Sequence, residues 1–139
     1  MLGNLPTQDN ALSVWHLEAD RSNFQQIVAA FVSTWKKLDE FEFALLPVDR
    51  VVTLGIRIEQ TPGETLDVEA NRQWHRDLVE LSATKLVELA RVVMESYKDR
   101  ILPKRVAQLV AQEIRSGRIP KNQVKPSFLK DISQWYEVE

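Results

Sequence analysis

The stretch from Thr61 to Ile101, TPGETLDVEANRQWHRDLVELSATKLVELARVVMESYKDRI, constrains the fold more than any other part of this chain. It opens on Thr61-Pro62-Gly63-Glu64. Threonine followed three places later by glutamate is the pattern of a capping box, with proline at the first helical position. From Trp74 onward apolar residues recur at helical spacing: Trp74, Leu78, Leu81, Leu86, Leu89, Val93, Tyr97 and Ile101. Val79, Ala83, Ala90 and Met94 widen the stripe well beyond a coiled-coil seam, so a helix here touches neighbours on several sides. Unbroken, it would run roughly 60 Å, against a radius of gyration of about 14 Å for a domain of this size. Either the domain is elongated or the helix starts late or breaks, with Ser82-Ala83-Thr84 the weakest point.

The expected fold is therefore all-α: five to six helices bundled around a long central helix at 62–101. The 139 residues form one helical domain, with 1–10 a flexible leader. Asp9 or Asn10 is placed to cap a short helix over Ala11–Ala19. Ser22-Asn23-Phe24-Gln25 reads as another capping box, and Phe24, Ile27, Val28, Phe31, Trp35, Leu38, Phe41 and Leu45 keep helical spacing until Pro47. Val48–Gln60 fits two patterns. Val52, Leu54, Ile56 and Ile58 alternate as in a half-buried strand. The one candidate for pairing, Phe41–Leu46, belongs to the preceding helix, and an isolated hairpin is marginal in water. A helix is expected over 48–60, with a short β element at 51–60 as the alternative. Pro103 opens a further helix that buries Val106, Leu109, Val110 and Ile114 and stops at Gly117. Pro120 and Pro126 bound an extended linker, and Ser127 begins a last helix carrying Phe128 and Ile132 with Trp135 or Tyr136.

Charge divides the chain. Residues 1–97 hold nine basic and fifteen acidic side chains, a balance of −6. Residues 98–130 hold nine basic and two acidic, a balance of +7, and the last nine contribute −3. This asymmetry points to a polyanionic partner for the basic segment, or to an acidic first half facing its own basic end. The candidate phosphate contacts are Arg100, Lys104, Arg105, Arg115, Arg118, Lys121 and Lys125. Trp74, Trp135 and Tyr136 are the candidate interface residues, as aromatic side chains outside the main stripes.

Catalytic and cofactor patterns are thin. Cysteine is absent, which removes disulfides and thiolate sites. Of the two histidines, His75 has Asn71 and Val79 at i±4, and His16 has only Asp20. Two ligands without a third make a poor metal site. Four scattered glycines build no phosphate loop. No enzyme activity, cofactor or metal is expected. The longest apolar run, Ile27–Val32, is too short to span a bilayer, and Met1–Asn10 does not read as a signal peptide. A cytoplasmic protein is expected, with a protein partner or self-association and no membrane.

The segment Val106–Ser133, ending its helix in Ile114-Arg115-Ser116-Gly117-Arg118-Ile119-Pro120 and restarting at Pro126-Ser127-Phe128-Leu129, resembles the opening of a GntR-type winged helix. The sequence ends before a recognition helix or wing, so base readout is not implied. In size, expected helical bundle and basic 98–130 end, the chain also resembles the small helical subunits of CRISPR effector complexes. No sequence motif carries that likeness. It implies a subunit without a catalytic site that packs in a larger assembly and touches nucleic-acid backbone through basic side chains. The expected function is thus a non-enzymatic helical adaptor making backbone contacts. The alternative is a protein–protein regulator (an inhibitor, antitoxin-like or chaperone-like protein) whose acidic first half is the working face.

Overall fold

The computed structural model describes residues 11–138, so the expected leader at 1–10 lies outside the described residues. The fold is mixed rather than all-α. In chain order it runs β1 (Leu12–Trp15), α1 (Phe24–Val32), β2 (Phe41–Leu45), α2 (Val48–Thr53), β3 (Arg57–Gln60), α3 (Val68–Gln73), β4 (His75–Val79), α4 (Ala83–Glu95), β5 (Tyr97–Ile101), α5 (Pro103–Arg115) and α6 (Pro126–Ser133), with a 3-10 turn at Lys121–Gln123. Two antiparallel sheets result, one of three strands ordered β1-β4-β3 and one of two, β2-β5.

The central helix expected at 62–101 is four elements. Thr61 caps nothing. Its hydroxyl meets His75 Nδ1 at 3.0 Å and donates to Asp77 Oδ2 at 3.0 Å, lacing the end of β3 to β4. The helix start falls instead at Asp67, which is buried and accepts from the Ala70 amide at 3.0 Å. Between Trp74 and Leu81 the helical stripe rests on three residues whose spacing a strand and turn also satisfy. Leu78 points into the core from β4, and Glu80 turns the chain at a φ of 57°. β4 wins because it lies between two partners: Leu12 pairs with Leu78 on one side and Ile58 with Leu78 on the other. Every second residue then faces inward, giving Leu12, Val14, Ile58 and Leu78 a common apolar face. Ser82 caps α4 through the Lys85 amide, at the place where the expected helix was weakest.

The other corrections share this cause. Ala11–Ala19 contains β1 rather than a helix. At the expected Ser22 capping box, α1 begins after Asn23, whose side chain instead accepts from the Glu18 amide and donates to the His16 carbonyl. The expected helix over 24–45 ends at Val32. Buried Ser33 turns its hydroxyl onto the Ala30 carbonyl at 2.6 Å and accepts the Leu66 amide at 3.1 Å, which helps close the helix. Phe41–Leu45 becomes β2, paired residue for residue with Tyr97–Ile101. The 48–60 stretch is helix and strand in turn, reversed at Gly55 with φ 77°, a conformation that suits glycine. In the last helix Lys125 holds the cap position and Pro126 the first turn, so Ser127 lies inside rather than capping.

Two groups of buried side chains organise these elements. The first joins α1, α5 and α6 through Val28, Val32, Val106, Leu109, Val110, Ile114, Phe128 and Ile132, with Val138 folding back onto it. The second joins α2, the three-stranded sheet and α4 through Val51, Ile56, Leu78, Leu81 and Leu89. Phe24, Phe43, Phe41 and Phe31 make successive ring contacts of 5.2, 6.0 and 5.3 Å, seating the two-stranded ribbon on α1.

Candidate nucleic-acid interface

α5 is built as expected. Pro103 occupies its first turn, and Val106, Ala107, Leu109, Val110, Ala111 and Ile114 are buried. Burial of that broad face leaves Lys104, Arg105, Gln112 and Arg115 exposed. Gly117 takes a φ of 85° and stops the helix.

The seven candidate phosphate contacts differ in how their own chain holds them. Arg100, on β5, lies across the ladder from Glu42 and reaches Glu40 at 3.4 Å. Arg118 is tied to Glu113 at 2.9 Å, and the hydrogen bond and charge of that carboxylate raise the guanidinium's pKa. Arg115 spends an N–H on the Glu137 carbonyl at 3.1 Å. These arginines carry charge but are held by their own chain. Arg105 donates to the neutral Gln108. The Lys104 ammonium stands 5.5 Å above the Trp135 ring centre.

The lysines are placed differently. Lys125 donates to the Thr34 carbonyl at 2.8 Å, and Ser127 donates to the Lys36 carbonyl at 2.6 Å. These two bonds bind residues 34–36 to the start of α6. They carry Lys36 and its neighbour Lys37, both exposed, up to Lys125. Lys121 is exposed on the preceding 3-10 turn and Lys130 on α6 itself. Among the described residues none of these five lysines lies within ion-pair distance of a carboxylate. Asp131 shares this side, but its carboxylate is taken by the Leu38 amide at 3.0 Å. With Asp39 counted, five cations stand against two anions. The signal in the sequence was the Lys36-Lys37 pair, whose position only the packing of α6 reveals.

Of the candidate interface residues, Trp135 is 52% exposed, whereas Tyr136 is partly buried against the first core group. Trp74 is half-buried and borders a shallow depression with Glu18, Asp20, Gln26 and Glu69. Of the three, Trp135 is the one that stands against a predicted basic residue, Lys104.

Histidine chemistry does not assemble into a relay. His75 is buried, and its Nδ1 faces both the Thr61 carbonyl at 3.1 Å and the Thr61 hydroxyl. A carbonyl oxygen only accepts, so Nδ1 carries a proton and is not a base for that hydroxyl, which donates to Asp77. Ser13 donates to the other oxygen of Asp77 at 3.2 Å, completing a cross-strand network. The His16–Asp20 edge does not form: His16 lies 3.8 Å from Glu18, and Asp20 accepts the Ser22 amide, which lowers its pKa. Among the described residues no group of three His, Asp or Glu side chains is placed to hold a metal ion. No helix among them is long and apolar enough to cross a membrane.

The chain matches no family model, no curated protein and no solved structure. The likeness to small CRISPR subunits rested in part on an all-helical bundle, and the two sheets remove that part.

Proposed function

We propose that this protein is a non-enzymatic adaptor that docks in a larger assembly and contacts nucleic-acid backbone without reading sequence. One observation carries the proposal: α6 draws Lys36 and Lys37 to Lys125, in a lysine ridge with no carboxylate ion pair among the described residues. Ammonium groups without a carboxylate partner suit phosphate contacts, which position a protein on nucleic acid but carry no base information. The working set is Lys36, Lys37, Lys121, Lys125 and Lys130. Arg100 and Arg118 are set aside because Glu40 and Glu113 already neutralise them. A cytoplasmic setting fits such a role.

Three to five phosphate contacts to a single strand give a log–log salt slope of about −2 to −3.5. Affinity then falls roughly 15- to 130-fold between 50 and 200 mM salt. A retardation assay on unrelated oligonucleotides at both salts measures this. Lys36→Glu/Lys37→Glu/Lys130→Glu, which keeps the Lys125–Thr34 bond, is expected to weaken binding to every sequence alike and to flatten the slope, with circular dichroism unchanged. Absence of any retardation by the native protein at low salt refutes the proposal. The protein–protein alternative would then lead, and the depression bordered by Glu18, Asp20 and Glu69 is its natural docking face for a basic partner.

A further inference from the structure

We infer that Trp135, Lys104 and Arg105 form a base-stacking site, so that the nucleic acid bound is single-stranded. The inference rests on the lysine-ridge proposal for its backbone contacts but on separate residues for its own. Trp135 presents an indole that is half exposed, just past the end of α6, where the helical turn runs on through the Trp135 and Tyr136 amides to the Ile132 carbonyl. The Lys104 ammonium lies 5.5 Å from the ring centre, and Arg105, the next residue in the same first turn of α5, is exposed with its guanidinium donating to Gln108. Neither cation has a carboxylate within ion-pair distance among the described residues.

An exposed aromatic ring with adjacent unpaired cations is the combination that single strands use: the ring takes a base on its π-face and the cations take the flanking phosphates. An ammonium over a ring is held by about a kilocalorie or less at an exposed site, so an arriving base can displace it toward phosphate. A duplex cannot use the ring, since its bases are already stacked and paired. Trp135 stands about 15 Å along the α6 axis from Lys125. That equals roughly four phosphate intervals at stacked spacing, so one short strand reaches both the ring and the lysine ridge.

Fluorescence anisotropy tests this with a labelled 12-nucleotide single strand and the blunt duplex it forms with its complement, at low salt. The native protein is expected to prefer the single strand. Trp135→Ala should weaken single-strand binding about five- to a hundredfold, the range for loss of one stacked base. It should leave the duplex unchanged, and Trp135→Phe should keep most of the affinity. If Trp135→Ala weakens both ligands alike or neither, the stacking site is wrong while the lysine ridge stands. If the native protein binds neither ligand, both proposals fall.

Discussion

Phe128→Ala tests whether α6 is anchored as the structure has it. Phe128 is wholly buried, in the core group shared by α1, α5 and α6. Removing its ring loses about 1.5–3 kcal/mol of transfer free energy. The vacated space adds a cavity term, because Val28, Val110 and Ile132 sit on regular helices and collapse only in part, which brings large aromatic truncations to about 3–5 kcal/mol. The edge contact with Trp35, at 6.5 Å between centroids, is lost as well. About 4 kcal/mol is expected, a large share of the roughly 5–15 kcal/mol that holds a domain together. Urea unfolding followed by tryptophan fluorescence measures it. For slopes of about 1–3 kcal/mol per molar, the midpoint should fall by roughly 1.3–4 M. A fall below about 0.3 M with the slope preserved would mean that α6 does not seal this core. The lysine ridge depends on the same seating, so the variant should also lose the low-salt retardation expected of the native protein before it loses its helix signal.

Leu89→Ala should cost about 2–5 kcal/mol in the same assay, since Leu89 is 1% exposed, whereas Val87→Ala on the open side of α4, 60% exposed, should change stability by less than about 0.5 kcal/mol; equal losses would misplace the inward face of α4. Gly117→Ala should cost roughly 1–2 kcal/mol through its positive φ alone, because a Cβ there meets nothing within 4 Å; a neutral result would deny the left-handed turn. Tyr97 donates to Asp99 at 2.8 Å, and that bond with the carboxylate's charge raises the tyrosine pKa above 10.0. Its contribution is present below pH 10 and lost as pH climbs through the raised value. For Asp99, lowered by the Arg100 amide and then by Tyr97, the contribution is lost as pH falls through the depressed value, below 3.8. In a Tyr136→Phe background, Asp99→Asn should bring the ultraviolet titration of Tyr97 down, and an unmoved midpoint would break the pairing.

Local order near the C-terminus was legible because each signal there is short-range. Pro103, the Val106–Ile114 stripe and Gly117 act through neighbouring φ/ψ angles and a face that any helix of that composition must bury. The arginines of the basic segment were legible as charge but not as free charge, since Glu40 and Glu113 reach Arg100 and Arg118 only through turns of the folded backbone.

Elsewhere the sequence determined that certain residues are apolar, and the tertiary structure decided which period they obey. Val48–Gln60 alternates like a strand, but the sequence shows it no free partner. Both missing partners lay inside the presumed central helix: His75–Val79 takes Arg57–Gln60, and Tyr97–Ile101 takes Phe41–Leu45. Once β1 and β3 flank β4, the ladder bonds on both sides and the shared burial of Leu12, Ile58 and Leu78 outweigh helix preference, which is worth only tenths of a kilocalorie per residue. A strand's stability resides in residues far away in the chain. That is why Lys36 and Lys37, freed from a helix that ends at Val32, could be placed beside Lys125 only by the fold.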